Sequence, residues 1–339
     1  MGQANPKQGC SGYLHGRQGL QGAKPMHGLL AQDCCSSGPN RSFLQNRPTG
    51  RSVSILCSDG LSGQDIPMTA NPTDETRQLF ATSSDGATIA IYERGSGPPL
   101  LLIHGALMDH HGWNALSPHL RQRLTLYTID RRGRGASTGT SPYAIEREIE
   151  DVNAVIQAIG GPIDVFAHSS GALLTLLAAE RGLPMRRLIL YEPPIILESL
   201  RPLYPIDLSA RVAALAQTDP GLAVRAFLRE GPLWSEAEIE RLAAEPSRWA
   251  ALLRMAPTAA YDAAIVGSYR FDPDRLRRIA NPTLILAGAV SPPWYRGAAD
   301  LLTDTLPNAR LAVIPGQGHM GFYIAPDLVA AEVLPFLSK

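Results

Sequence analysis

Hydrophobic and polar positions settle into a rhythm from Leu79 onward. Leu79 to Ser83 and Thr88 to Tyr92 flank the turn dipeptide Asp85-Gly86, which predicts a short hairpin. Six compact apolar runs follow: Leu100 to Ile103, Leu124 to Ile129, Ile163 to Phe166, Leu188 to Leu190, Pro282 to Leu286 and Leu311 to Ile314. Helical stretches lie between them, among them Ala144 to Ile159, Ala172 to Arg181 and Ala298 to Leu306. That alternation predicts an α/β fold with a mostly parallel, doubly wound sheet and crossover helices. One interval breaks the rhythm. Between Tyr191 and Pro282 no strand-like run occurs, and the gap is too long for an ordinary crossover. It is expected to be a helical insertion after the sixth strand, spanning 194–281, with 68–193 and 282–339 forming the core. Ser235-Glu236-Ala237-Glu238 reads as a capping box, and Asp272-Pro273 as a second helix start.

Composition separates the region before Met68 from the rest. All four cysteines (Cys10, Cys34, Cys35, Cys57) and 11 of the 31 glycines lie there, with little hydrophobic periodicity. Residues 1–67 are therefore expected to be a disordered extension or an over-long start, with Met68 as the real beginning. Met1 to Leu30 holds no uninterrupted apolar core of a secretory signal, so a cytoplasmic location is expected. Over the 339 residues, 45% are hydrophobic and 18% charged, and 31 basic residues balance 31 acidic ones. A neutral chain offers no electrostatic case for nucleic acid or an anionic membrane surface, so the expected partner is a small-molecule substrate.

The chemistry concentrates at Asp164-Val165-Phe166-Ala167-His168-Ser169-Ser170-Gly171-Ala172, a strand that runs into a helix through a tight turn of small residues. A serine on such a turn projects its hydroxyl from the sheet, and the next backbone N–H faces a developing oxyanion. The pattern is close to G-x-S-x-G, with Ala167 in place of the first glycine. Gly171, two residues after Ser169, sets the register and makes Ser169 rather than Ser170 the expected nucleophile. Upstream, Leu100 to Ile103 leads into His104-Gly105-Ala106.

With these two motifs in this order the chain resembles the α/β-hydrolase family, in its serine-nucleophile, esterase- or lactonase-like branch. The resemblance covers roughly 79–337. It implies that the backbone amides of Ala106 and Ser170 form the oxyanion hole, that His104 is structural, and that Pro315-Gly316-Gln317-Gly318-His319 carries the general base, His319. Asp130-Arg131-Arg132-Gly133-Arg134-Gly135 resembles the family's glycine-rich turn or, equally, a polar surface loop, and is given no catalytic part. His110 and His111 have no ligand spacing that supports a metal, and neither metal nor cofactor is expected.

The family commonly places its acid just after the strand written here Pro282 to Ala287. Gly288-Ala289-Val290-Ser291 follows, without a carboxylate; Asp300 lies too far along the next helix. The best substitute is Glu192, which follows the strand Leu188 to Leu190 in Leu190-Tyr191-Glu192, since some family members carry the acid after that neighbouring strand; the other possibility is a Ser-His dyad. The expected activity is a serine hydrolase acting on an ester, lactone or related carbonyl bond of a small apolar substrate. Phe227, Trp234, Trp249 and Tyr261 either form an apolar lid or pack the insertion's own core. The altered acid position keeps a second reading open, a cofactor-free lyase or cyclase, or a ligand-binding protein, on the same fold.

Overall fold

The computed structural model describes residues 76–139 and 142–338. The expectations for residues 1–67 and for the four cysteines lie outside the described residues. Among the described residues eight strands form one sheet: β1 (Arg77–Thr82), β2 (Thr88–Gly95), β3 (Pro99–Ile103), β4 (Thr125–Ile129), β5 (Ile163–His168), β6 (Met185–Tyr191), β7 (Thr283–Gly288) and β8 (Ala309–Ile314). Their order is β1-β2-β4-β3-β5-β6-β7-β8. The β1-β2 and β2-β4 pairs are antiparallel and every later pair is parallel. The hairpin and all six apolar runs are thus strands of a single, mostly parallel sheet.

Alternation along the central strands explains why both faces need cover. Leu101 and Ile103 of β3, Val165 and Ala167 of β5, and Ile285 and Ala287 of β7 pack into one apolar cluster; Leu100 and Leu102, Phe166, and Leu284 and Leu286 pack into another on the opposite face. Helices supply the cover on each side, as parallel strands require. On the first face lie α2 (Ile145–Ile159), α3 (Ser170–Glu180) and α9 (Pro293–Thr305); on the second lie α1 (Ser117–Leu120), the short α10 (Gly321–Ile324) and α11 (Pro326–Leu337). Helix α3 is buried at almost every turn, which suits the unbroken apolar run that follows Ser170.

Between β6 and β7 the chain forms α4 (Leu208–Thr218), α5 (Pro220–Glu230), α6 (Glu236–Ala243), α7 (Pro246–Ser268) and α8 (Pro273–Leu276). The first four close around a shared apolar cluster, which includes Val212, Val224, Phe227 and Ile239, while Leu276 of α8 packs into the cluster on the first face of the sheet. Ser235 and Glu238 make the reciprocal capping box, and Asp272 caps α8. No helix among the described residues is long and apolar enough to cross a membrane.

The loop after β4 is not the polar surface loop that its composition allows. Arg131, Arg132 and Arg134 are all at most 2% exposed. Arg131 grips Glu148 of α2 through two bonds (2.7 and 3.0 Å) and Asp262 of α7 at 2.8 Å; Arg134 takes the other Asp262 oxygen at 2.8 Å; Arg132 grips Asp151 at 2.7 and 2.8 Å and Asp85 at 3.0 Å. Burial works against the Asp262 charge, yet Arg134, Arg131 and the Ser170 hydroxyl hold its carboxyl below its ordinary range. Charges this deep persist only when paired. Asp262 therefore fastens the helical segment to the core directly beneath the β5-α3 turn.

Candidate active site

Backbone strain marks the site before any side chain is considered. Four non-glycine residues among those described have positive φ: Leu107 (54°), Ser169 (55°), Glu192 (47°) and Leu233 (60°). The first three directly follow, or lie in the turns after, β3, β5 and β6, at the carboxyl edge of the sheet where α/β folds carry their ligands. Ser169, with ψ −125°, turns β5 into α3, and Ser170 is the first residue of that helix. The glycine two residues later is obligatory: a Cβ on Gly171 would lie 2.5 Å from the His104 carbonyl oxygen and 2.7 Å from that of Ile103. Gly105 is constrained as tightly, since a Cβ there would meet His168 Nδ1 at 2.8 Å and Ser169 Cβ at 2.9 Å. The turns after β3 and β5 are thereby pressed together, and Ala106, Ser169 and Ser170 border one cavity. The amide of Ser170, in the first turn of α3, has no acceptor within its helix and is available to an oxyanion.

His319 lies in the loop after β8. Its Nδ1–H donates to Glu192 Oε2 at 2.7 Å, so that in the neutral ring Nε2 is the acceptor nitrogen. Glu192 is fully buried; its other oxygen, Oε1, accepts from the Gly288 amide at 2.7 Å and the Ser291 hydroxyl at 2.5 Å. The loop after β7, without an acid of its own, thus supplies two donors to the acid after β6. Val290 is 68% exposed and takes no part in this arrangement. Asp300 pairs with Arg296 on α9.

Ser169 and His319 line the same cavity, and no hydrogen bond joins them among the described residues. The neighbour of His319 Nε2 is the Tyr295 hydroxyl, 3.3 Å away, with the Tyr295 ring stacked on the imidazole at 4.3 Å. Burial, with Glu192 nearby, raises the Tyr295 phenol well above its ordinary pKa, so it stays a neutral donor.

Two residues without a sequence signal hold the histidine loop. His168 Nε2–H donates to the His319 carbonyl at 3.0 Å, and the Tyr191 hydroxyl donates to the Gly318 carbonyl at 2.7 Å. Burial pushes the His168 imidazole well below its usual pKa, and burial with Arg134 and Arg131 nearby lowers His104 to about 3. Both rings are neutral. His104 accepts from the Arg131 amide through Nε2, a structural role.

The cavity holds about 590 Å³. Phe227 and Trp234 face it, together with Leu107, Leu228 and Met255. Trp249 instead packs under Arg225, and Tyr261 stacks on Tyr143 at 4.0 Å. His111 borders the cavity, whereas His110 is bonded to Asp130 at 2.7 Å. That bond and the His110 amide offset burial and hold the Asp130 carboxyl down at about 2. Sequence spacing gives no metal set here, yet the ligating atoms of Asp109, His110 and His111 lie within 4.8 Å of one another; the Nδ1 atoms of both histidines are taken by carboxylates.

Comparison with known proteins agrees with this architecture. Residues 100–332 match the alpha/beta hydrolase family. The solved structure of an alpha/beta hydrolase from Sphaerobacter thermophilus is 41% identical, covers 76% of this chain and 100% of that one, and superposes with a TM-score of 0.72. Among curated proteins, the (E)-2-((N-methylformamido)methylene)succinate hydrolase of Acinetobacter baylyi is 27% identical over 256 residues, 73% of this chain and 92% of that protein. The pimeloyl-[acyl-carrier protein] methyl ester esterase of Nitrosomonas europaea is 27% identical over 248 residues, 71% of this chain and 96% of that protein. With relatives named as hydrolases and esterases, a sheet of this topology and a family match across most of its described length, the chain belongs to the alpha/beta hydrolase family.

Proposed function

We propose that the protein is a serine hydrolase that cleaves an ester or related carbonyl bond through an acyl-enzyme. The observation that carries this reading is the 2.7 Å bond from His319 Nδ1–H to the buried Glu192 carboxylate, at the edge of the sheet that also bears the strained Ser169. A carboxylate there fixes the imidazole tautomer, so that Nε2 is the base, and stabilises the imidazolium once it forms. Ser169 Oγ attacks the carbonyl carbon as its proton passes to His319 Nε2, which first exchanges its Tyr295 contact for the serine. The amides of Ala106 and Ser170 receive the oxyanion. Collapse expels the leaving group, which takes the proton from His319. Water, activated by the same Nε2, then releases the acid and restores Ser169. Neither metal nor cofactor enters these steps. The segment α4–α8 acts as a cap whose apolar side chains exclude water from the reaction.

Labelling with a fluorophosphonate, followed by peptide mapping, tests the nucleophile. Labelling confined to Ser169, lost together with p-nitrophenyl ester hydrolysis in Ser169→Ala, is expected. An unlabelled wild-type protein without esterase activity across a chain-length series would move the assignment to non-hydrolytic chemistry on this fold.

A further inference from the structure

Four arginines are buried among the described residues, and they divide three to one. Arg131, Arg132 and Arg134 each hold a carboxylate. Arg201, 5% exposed in the stretch that leads from β6 to α4, pairs with none among the described residues. Its Nε donates to the Pro202 carbonyl at 3.2 Å and its Nη2 to the Gly231 carbonyl at 2.9 Å, while Nη1 has no hydrogen-bond partner among the described residues. The guanidinium carbon lies 4.7 Å from the Trp294 ring centroid and 5.7 Å from that of Tyr204. Carbonyls and ring faces orient and soften this charge without cancelling it. A buried guanidinium left in that state is costly unless something else neutralises it.

Its position says what could. Arg201 borders the catalytic cavity. The Trp294 ring over which it sits is 3.5 Å from Tyr295, and Tyr295 is stacked on His319, so the charge lies two rings away from the base. The acidic groups that share the cavity wall are already engaged: Asp262 by Arg131 and Arg134, Asp109 by His111, and Glu245 by Arg248 at 3.5 Å. We propose that Arg201 binds a carboxylate carried by the substrate, so that the preferred substrate is a monoester, or an equivalent acyl derivative, of a dicarboxylic acid rather than a wholly apolar ester. One guanidinium matches one planar monoanion, and the apolar wall around it takes the intervening carbon chain. The proposal deepens the hydrolase reading and rests on it for the identity of the bond cleaved.

Binding to Ser169→Ala separates the two claims, because it needs no turnover. Calorimetric titration with the monomethyl esters of succinate, glutarate and adipate, against the corresponding dimethyl esters, is expected to show at least a tenfold preference for the monoacid at one chain length. Adding Arg201→Gln is expected to abolish the preference, and Arg201→Lys, which keeps the charge but not the fork, to retain part of it. Thermal melts of the variants identify any loss of fold. A merely structural Arg201 would weaken both esters alike and leave their ratio unchanged. Equal affinity for both esters, no binding across the series, or a preference that survives Arg201→Gln would each overturn the assignment. A binding preference in a protein that hydrolyses no ester would leave the Arg201 subsite standing and remove the nucleophile reading instead.

Discussion

The ends of β6 and β7 lie side by side in the sheet, with Tyr191 opposite Leu286, yet they serve the histidine in opposite ways. After β6 the chain presents a carboxylate in a left-handed backbone position, fully buried and in contact with the His319 ring. After β7 it presents an amide and a hydroxyl, and both point at that carboxylate. What matters to an imidazole is the direction and burial of the negative charge and the donors that fix it, rather than the strand from which it comes. The missing acid after β7 and the cradle found there are two sides of one arrangement.

The comparison breaks most severely at the acid itself. Glu192→Gln keeps the shape and removes the charge, and ester turnover is expected to fall by roughly 10³- to 10⁴-fold with little change in KM. Returning the carboxylate to the β7 side, in Glu192→Ser with Ser291→Asp, should recover part of that loss in steady-state kinetics. Wild-type turnover in Glu192→Gln would leave a Ser-His dyad and make the contact incidental.

Acid acts on the fold through the other strand ends. His104 and His168, after β3 and at the end of β5, are held neutral, His104 with a pKa of about 3 against about 6.5 in the unfolded chain. Between those values the unfolded state binds the extra proton, so stability is intact above about pH 6.5 and falls as pH drops below it, by up to about 1.4 kcal/mol per pH unit for each ring. Urea unfolding at pH 7.5, 6 and 5 should show this slope, and show it equally in Glu192→Gln, because the carboxylate is not its source. The smallest effect belongs to the cradle. Ser291→Ala removes one of two donors to Glu192 Oε1 and is expected to lower stability by about 1–3 kcal/mol and turnover by about tenfold or less, measured by denaturation and kinetics together.

Much of this was legible in the chain because it is written locally. Period-two apolar runs, the Asp85-Gly86 turn, the Ser235 capping box and the small residues around Ser169 each declare themselves within a few positions. The candidacy of Glu192 comes from the family resemblance, since some members carry their acid after that strand. Long-range pairing was not. Arg131 and Asp262 are 131 residues apart in the chain, so nothing near the Arg131 loop signals that it is buried. His168 and Tyr191 read as ordinary strand residues, and their hydrogen bonds to the histidine loop depend on the fold bringing β8 alongside. Phe227 and Trp234 differ from Trp249 and Tyr261 only in which way their helices or loops face, which composition does not encode. Arg201 is the clearest case: its significance is the carboxylate it does not have, a property no sequence window displays.

The Asp262 fastening bears on how α7 can move against the core. Moving α7 away from the core means parting one carboxylate from two guanidinia and a serine hydroxyl, all buried. The Asp262 carboxylate is thus a bolt between α7 and the sheet: its three bonds are buried together and have to break together.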